Sequence, residues 1–323
     1  MKICIYGCGA IGGLLAARLS QSGAIVSVIA RGEQLQAIRE NGLTLFAEDG
    51  TESSAFVMAA EDPAELGPQD VVFLTMKAHQ VPAVAAKISL LLGDDTFVVT
   101  AANGLPWWYF YSLTDELGTP ELTTVDPGRR LWSTISPERA VGCVIYPAAR
   151  IEAPGVIRHM FGKQFSIGEP DCTASPRLSK ISGLLGEAGF HAQVQADIRA
   201  DIWTKLVANA AFNPVSVITG KSLGEMIDDP ATYKLLERVM QEVVAVAESL
   251  HVKVVMQPEQ LLEATRQLHD HKTSMLQDYE AGRPLELEPI TGAVAELARL
   301  KGIDVPGLNT VCKLVAEKSA QVS

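Results

Sequence analysis

The stretch KICIYGCGAIG, residues 2–12, decides the fold of the N-terminal half of the chain. Its first five residues predict a short buried β-strand. The glycines predict a tight turn into a helix from roughly Ile11 to Ser22, which Gly23 ends. Such a turn lets the backbone approach a pyrophosphate, and the helix directs its free N–H groups and positive dipole end at it. The predicted cofactor contacts are Gly7, Cys8, Gly9, Ala10, Ile11 and Gly12.

The second predicted strand, Ile25–Ala30, ends at Arg31, where dinucleotide-binding chains place the residue that recognises the adenosine ribose. An acidic residue there suits the 2′-hydroxyl of NAD, whereas an arginine suits the 2′-phosphate of NADP(H). The sequence therefore favours NADP(H). Two alternatives stay open: Glu33 contacts a ribose instead, or the glycines form a turn in some other α/β protein.

The composition is typical of a soluble globular protein with two domains. The 323 residues include 27 Lys+Arg and 38 Asp+Glu, which gives a net charge of −11 without any basic block. Binding to nucleic acid or to an anionic membrane surface is therefore disfavoured, and no apolar run is long enough to span a bilayer. The five cysteines are odd in number and form no CxxC pair, which favours reduced thiols in the cytosol and no metal site.

The order of predicted elements indicates an α/β fold, with a Rossmann-like, doubly wound parallel sheet followed by an all-helical region. A helix is predicted over Gln80–Leu92, with Gly93 as its end. From about Asp197, apolar residues repeat at helical spacing, so we predict domains at 1–196 and 197–323. Further predicted strands are Leu43–Ala47, Ala55–Ala59, Val71–Lys77, Phe97–Asn103, Val141–Ile151, Val156–His159, Phe165–Gly168 and His191–Ala196.

Two polar residues follow predicted strands at the edge where open α/β sheets bind their ligands. Lys77 closes the strand VVFLTMK, and Asn103 closes FVVTAAN before Gly104. Both are candidates for lining the cofactor. The alternatives are a surface lysine whose ammonium extends to water, and a plain Asn-Gly turn.

A polar stripe marks the second predicted domain. The sequence Asp201–Phe212 favours a helix, in which Lys205, Asn209 and Asn213 recur every fourth residue and share one face. Asparagine is a poor helix former, so two in one stripe are unusual for a solvated face. Lysine can supply a proton and positive charge to a carbonyl oxygen, and asparagine can hydrogen-bond a polar substrate. The alternative is a solvated stripe that leads into a helix break at Asn213-Pro214.

The segment TSMLQDYEAGRPLELE, residues 273–288, holds two further polar candidates. Ser274 is followed three residues later by a glutamine, as in a capping box, so it is either a helix cap or a ligand-binding residue. Gly282 would end that helix and leave Glu286 in a turn, where it could meet Lys205 or a substrate hydroxyl. An isolated glutamate is more often a surface charge.

Across nearly its whole length, the chain resembles the family of 2-dehydropantoate 2-reductases, also called ketopantoate reductases. The resemblance rests, in chain order, on GCGAIG at 7–12, Arg31, Lys77, Asn103-Gly104, IWTKLVANAAFNP at 202–214, and SMLQD with Glu286. It implies NADPH-dependent reduction of a small 2-keto acid, with Lys205 as general acid at the keto oxygen. It further implies that Asn209, Asn213 and Ser274 hold the substrate, that Asn103 and Glu286 lie where cofactor and substrate meet, and that Ala148 touches the cofactor.

Three departures from the family pattern leave the keto acid open. The family usually has asparagine where His271 stands, near the substrate carboxylate, and Thr-Glu at Leu285-Glu286. The stretch after Asn103 is long and aromatic, and Trp107–Phe110 form either a lid that favours a bulkier or more apolar keto acid or a surface that packs on the helical domain or a partner subunit. Two other functions remain open: a related hydroxyacid dehydrogenase, and a non-catalytic NADP(H) sensor, which would not need the polar stripe. The sequence leaves the oligomeric state open, and a homodimer is one of the alternatives.

Overall fold

The computed structural model describes residues 1–321, which group into two compact units. The first unit contains Met1–Ala102, Pro106–Leu113 and Gly128–Ile198. The second contains Asn103–Leu105, Thr114–Pro127 and the chain from Arg199 onward. The division predicted at residues 196 and 197 therefore missed two segments of the N-terminal half that fold with the second unit.

The first unit is built on two β-sheets. Its strands are β1 (Lys2–Tyr6), β2 (Ile25–Ile29), β3 (Leu43–Phe46), β4 (Glu52–Ala55), β5 (Met58–Ala60), β6 (Gln69–Leu74), β7 (Leu92–Thr100), β8 (Ala140–Ile145), β9 (Ala148–Ala153), β10 (Val156–Phe161), β11 (Gln164–Gly168) and β12 (His191–Val194). The larger sheet has the order β12-β11-β8-β7-β6-β1-β2-β5 and is parallel except between β8 and β11. The smaller sheet has the order β4-β3-β10-β9.

The larger sheet is covered on both faces, as the doubly wound pattern predicts. Along β1, Ile3 and Ile5 belong to one hydrophobic cluster, whereas Cys4 and Tyr6 belong to another. Successive side chains of a strand point to opposite faces, so a strand buried on both sides reads as one continuous apolar run. The helices of this unit are α1 (Ala10–Gln21), α2 (Gly32–Asn41), α3 (Ala85–Ile88), α4 (Arg130–Ile135) and α5 (Pro176–Glu187).

The smaller sheet packs on helix α1 and was not predicted. A Cβ atom at Gly13 would lie 2.7 Å from Cδ1 of Ile157, so this glycine gives β10 room to approach the helix. The predicted strand Leu43–Ala47 forms β3 of this sheet. The predicted strand Ala55–Ala59 is divided between β4 and β5, which lie in different sheets.

Prolines explain two further errors. The predicted helix Gln80–Leu92 is a series of 3-10 turns around the four-residue α3, and Leu92 already begins β7. The first of these turns starts at Ala78, so Pro82 lies inside the helical segment and not at its first position. There its missing N–H removes a backbone hydrogen bond that a continuous α-helix would need. The predicted strand Val141–Ile151 ends instead at Ile145 and resumes at Ala148, because Pro147 cannot donate to a sheet.

The second unit is helical where it has regular structure. Its helices are α6 (Ile198–Thr219), α7 (Leu223–Asp228), α8 (Pro230–Ser249), α9 (Pro258–Thr265), α10 (Ser274–Glu280), α11 (Ala293–Lys301) and α12 (Pro306–Ala320), with a π-helical turn at Glu288–Gly292. The chain thus combines a Rossmann-like α/β unit with a helical unit, which confirms the predicted fold class.

Candidate active site

One edge of the larger sheet brings together three predicted cofactor-binding elements of the first unit: the glycine turn, Arg31 and Lys77. Strands β6, β1 and β2 are adjacent and parallel, so their carboxyl ends share that edge. The glycine turn follows β1, Arg31 follows β2, and Lys77 follows β6. Open α/β sheets bind ligands at this position.

Glycines at the turn allow contacts that no other residue would permit. Gly7 has φ +105°, and a Cβ there would lie 2.8 Å from the backbone nitrogen of Met76. A Cβ at Gly12 would overlap the carbonyl oxygen of Gly7, so helix α1 can start close against the turn only with glycine at this position. The Thr75 hydroxyl donates to that same carbonyl at 2.8 Å. Thr75 was not among the predicted site residues, although it lies two residues before Lys77.

The Gly9 N–H donates to the Gly7 carbonyl at 2.9 Å, and the other backbone N–H groups of the turn divide into two sets. Those of Gly7 and Cys8 donate to the Ile29 carbonyl at 3.1 and 3.2 Å, which ties the turn to the end of β2. Those of Ala10, Ile11 and Gly12 are in the first turn of α1, where the helix itself provides no acceptor. The second set, not the whole hexapeptide, presents the donors that an anion at this helix end would meet.

Cys8 serves the turn through its backbone. Burial raises the pKa of its thiol to about 12, so the sulfur is a poor nucleophile. Its carbonyl accepts from Gln34 Nε2 at 3.0 Å, and Gln34 Oε1 accepts from the Gly155 N–H at 2.9 Å. Gln34 therefore links the glycine turn to the loop between β9 and β10, a role that sequence reasoning also missed.

Arg31 is the exposed N-cap residue of α2, and its side chain makes no hydrogen bond or ion pair with any residue of the described chain. Its guanidinium therefore remains available to an anion. Lys77 is half-buried and precedes a 3-10 turn at Ala78–Gln80, whereas β6 already ends at Leu74. Ala148 begins β9, in the small sheet that packs on α1.

Asn103 does not end a strand, because β7 stops at Thr100. It belongs to the second unit, where the next two residues contact the π-helical turn. The N–H of Leu105 donates to the Pro289 carbonyl at 3.1 Å. Gly104 has φ +91° and lies directly against the same carbonyl.

The polar stripe lies on a single continuous helix. Lys205 and Asn209 are half-buried and Asn213 is 4% exposed, while Trp203, Leu206 and Val207 on other faces pack in the core. The Nδ2 atom of Asn213 is buried and has no hydrogen-bond partner among the described atoms. A buried amide donor without an acceptor is costly, so this stripe differs from an ordinary solvated face.

Helix α6 continues through Pro214 to Thr219, and the predicted break at Asn213-Pro214 was wrong. Near the proline, the Ser216 hydroxyl donates to the Asn213 carbonyl at 2.7 Å and lies 2.6 Å from the Thr273 hydroxyl. Thr273, not Ser274, caps α10, because its side chain accepts from the Leu276 N–H at 3.1 Å. Ser274 is therefore exposed at the first helical position, next to a residue fixed to α6.

Glu286 is 5% exposed, unlike an ordinary surface glutamate. It lies after Gly282, which ends α10 with φ +64° as predicted, and just before the π-helical turn. The stripe, Ser274 and Glu286 thus all belong to the second unit. The sequence did not predict the burial of Glu286, because the segment around it has no helical or strand periodicity from which a buried face could be inferred.

The aromatic residues after Asn103 are mainly core. Trp108 is fully buried, and its Nε1–H donates to the Thr100 hydroxyl at 2.9 Å. A Cβ at Gly142 would lie 3.0 Å from the Trp108 ring, so a glycine in β8 makes room for it. Tyr109 and Phe110 are buried as well and pack edge to face. Packing, not a lid, therefore accounts for these three residues.

Two findings concern other kinds of site. No helix within the described residues 1–321 is long and apolar enough to span a membrane. Across the same residues, no group of three or more His, Cys, Asp or Glu side chains is arranged to hold a metal ion.

Comparison with known proteins gives consistent family matches. Residues 3–171 match the sequence model of ketopantoate reductase PanE/ApbA, and residues 197–319 match that of the ketopantoate reductase PanE/ApbA C terminal. A protein of Mesorhizobium japonicum named 2-dehydropantoate 2-reductase is 45% identical over 316 residues, which cover 98% of this chain and 97% of the relative.

Solved structures share the fold over the full length. One from Ralstonia solanacearum MolK2, provisionally assigned as a ketopantoate reductase, has a TM-score of 0.93 and 40% identity, covering 99% of this chain and 98% of that one. D-mandelate dehydrogenase with NADH and anilino(oxo)acetate has a TM-score of 0.85 at 22% identity, covering 100% and 99%. The latter likeness concerns the fold alone.

Proposed function

The chain belongs to the ketopantoate reductase family and is an oxidoreductase that acts on a CH–OH group; on this premise we propose that it reduces 2-dehydropantoate to pantoate with NADPH. We assign the cofactor to the glycine turn, Arg31, Lys77, Asn103 and Ala148, with Glu286 at the boundary between cofactor and substrate. We assign the substrate to Lys205, Asn209, Asn213 and Ser274.

The glycine turn suits a dinucleotide. Its first-turn N–H groups and the dipole of α1 favour a pyrophosphate, and the glycines bring the backbone within reach of one. The exposed guanidinium of Arg31 suits a 2′-phosphate, since charge-assisted guanidinium–phosphate contacts are bidentate and strong. The cofactor we propose is therefore NADPH in preference to NADH.

The unpartnered Nδ2 of Asn213 carries the substrate proposal. Natural proteins leave few buried donors unsatisfied, and such groups tend to serve a ligand or an ordered water. A 2-keto acid offers carboxylate and carbonyl oxygens as acceptors. Asn209 and Lys205 continue the same helix face with a further amide and an ammonium.

Lys205 is the proposed general acid. When bound, NADPH supplies the hydride that reduces C2 of the keto acid. The Lys205 ammonium would stabilise the negative charge that develops on the keto oxygen and then donate a proton to it. Glu286, which is 5% exposed, would orient these groups rather than deliver the proton.

A second candidate is reduction of a different 2-keto acid, and His271 is the observation that favours it. Burial lowers the pKa of His271, so the ring is neutral near neutral pH and offers a shape different from that of the family asparagine. A changed neighbour of the substrate carboxylate would shift the preferred side chain of the keto acid.

The deciding experiment is a panel of 2-keto acids assayed with NADPH and with NADH. We expect 2-dehydropantoate with NADPH to give the highest kcat/KM. A higher value for another keto acid would move the assignment to the second candidate. Tight NADPH binding without turnover on any keto acid would refute reductase activity and indicate a sensor.

A further inference from the structure

The π-helical turn at Glu288–Gly292 redirects one backbone hydrogen bond. In a regular α-helix the N–H of Ala293 would donate to the Pro289 carbonyl, four residues earlier. Here it donates to Glu288, five residues earlier. The Pro289 carbonyl instead accepts the Leu105 N–H at 3.1 Å. Single π turns of this kind are frequent at functional sites.

Gly104 makes this contact possible. Its φ of +91° is unfavourable for other residues, and a Cβ there would overlap the Pro289 carbonyl oxygen and lie 2.7 Å from its carbon. Any side chain at position 104 would therefore push the chain away from Pro289. Because Asn103 is the preceding residue, its position depends on this close approach.

Helix α11, which continues the π turn, contacts Thr114–Pro127, the other segment of the N-terminal half that folds with the second unit. The Glu296 carboxylate accepts from the N–H and hydroxyl groups of Thr123 and Thr124, at 2.6–3.1 Å. Lys301 Nζ lies 2.8 Å from Asp115 Oδ2, and both side chains are 4% exposed. Asn103–Leu105 is thus held against the π turn, and Thr114–Pro127 is held against α11, the helix that follows it.

We infer that Gly104 and the π turn at Pro289 are positioning elements that set Asn103 relative to Glu286. Glu286 lies three residues before Pro289, so the Leu105–Pro289 hydrogen bond fixes both residues through the same turn. This inference rests on the proposed function, in which Asn103 and Glu286 lie where cofactor and substrate meet. Gly104 acts only through Asn103.

The test is a double-mutant cycle on kcat/KM for the keto acid with NADPH. We expect Gly104→Ala to lower kcat/KM about 10–100-fold, as small displacements of reacting groups do. In an Asn103→Ala background the same change should cost less than about twofold, because the group it positions is gone. Gly302→Ala is the matched control, since Gly302 has φ +66° but no atom within 4 Å of an added Cβ.

The outcomes separate the inference from the proposed function. Suppose that the wild-type protein is active. If Gly104→Ala is then as active as Gly302→Ala, or if the losses of Gly104→Ala and Asn103→Ala multiply in the double variant, the inference is overturned and the proposed function stands. A wild-type protein inactive on every keto acid would overturn both. If the alanine variant does not fold, Gly104→Asn replaces it, because asparagine tolerates positive φ but still meets Pro289.

Discussion

The hydroxyl oxygens of Ser216 and Thr273 lie 2.6 Å apart, and this buried contact joins helix α6 to the start of helix α10. On one side, Ser216 also donates to the carbonyl of Asn213, the buried end of the polar stripe. On the other, Thr273 caps α10 and precedes Ser274. The contact thereby fixes Ser274 relative to the stripe without either hydroxyl needing to touch a ligand.

Thr273→Val removes both the cap and the contact with Ser216. We expect a loss of about 1–2 kcal/mol in unfolding free energy, the usual cost of a lost N-cap. We also expect a several-fold rise in KM for the keto acid, because Ser274 is no longer held. Ser222→Ala removes the comparable cap of α7 and is the control. Equal KM values in the two variants would show that the contact is purely structural.

Lys205→Met preserves most of the side-chain volume and removes the ammonium. If Lys205 stabilises and protonates the keto oxygen, kcat should fall about 10²–10³-fold or more, the typical loss for one well-placed donor. NADPH affinity should stay within a few-fold, since the glycine turn and Arg31 are unchanged. Glu286→Ala should reduce kcat less. Steady-state kinetics beside cofactor titration decide the matter, and a near-normal kcat for Lys205→Met would exclude the general-acid role.

Arg31→Ala should weaken NADPH binding by about 10–100-fold and leave NADH binding almost unchanged, because only the 2′-phosphate is lost as a partner. Fluorescence titration of both cofactors measures this. Arg39→Ala is the control on the same helix, since Arg39 donates to the Ala59 carbonyl and pairs with Glu65. Equal losses for both cofactors in Arg31→Ala would mean that Arg31 does not recognise the 2′-phosphate.

Trp108→Phe removes the indole donor to Thr100 and part of a buried ring. We expect a loss of about 1–3 kcal/mol in unfolding free energy, measured by urea denaturation, from the lost hydrogen bond and the residual cavity. The ranking of keto acids by kcat/KM should not change. A changed ranking with little loss of stability would contradict the core assignment and support a lid.

Asp115→Asn leaves the buried ammonium of Lys301 without its main partner, at a cost of about 3 kcal/mol near pH 7. Burial alone would raise the pKa of Asp115, but hydrogen bonds from Lys301 and the Leu117 N–H outweigh it and hold that pKa below its usual value. The stabilisation is therefore present above about pH 4 and lost as pH falls through the folded-state pKa. Urea denaturation from pH 7 down to about pH 2.5 should show a constant difference between wild type and variant above about pH 4 and convergence only below it. A difference that is independent of pH would contradict this.

Local pattern accounts for what the sequence predicted correctly. The strand, glycine turn and helix at residues 2–21 were predictable because each needs only its own apolar run and glycines. The common edge for the glycine turn, Arg31 and Lys77 followed from the prediction of a parallel sheet, in which all strands end at the same edge. Prediction failed at Asn213-Pro214, where the helix continues past the proline. At Ser274 the sequence left a helix cap and a ligand-binding role open, and the structure gives the cap to the neighbouring threonine.

The sequence by itself determined the Rossmann-like unit, the helical unit and the order of candidate site residues, because helical and strand periodicities are properties of neighbouring residues. Only the tertiary structure decided that Asn103 folds with the second unit, that Glu286 is buried, and that Asn213 keeps an unpartnered donor. These outcomes depend on contacts between residues far apart in the chain, such as Leu105 with Pro289, and on a π turn that frees one carbonyl. The local sequence around Pro289 does not indicate which distant N–H group will donate to its carbonyl.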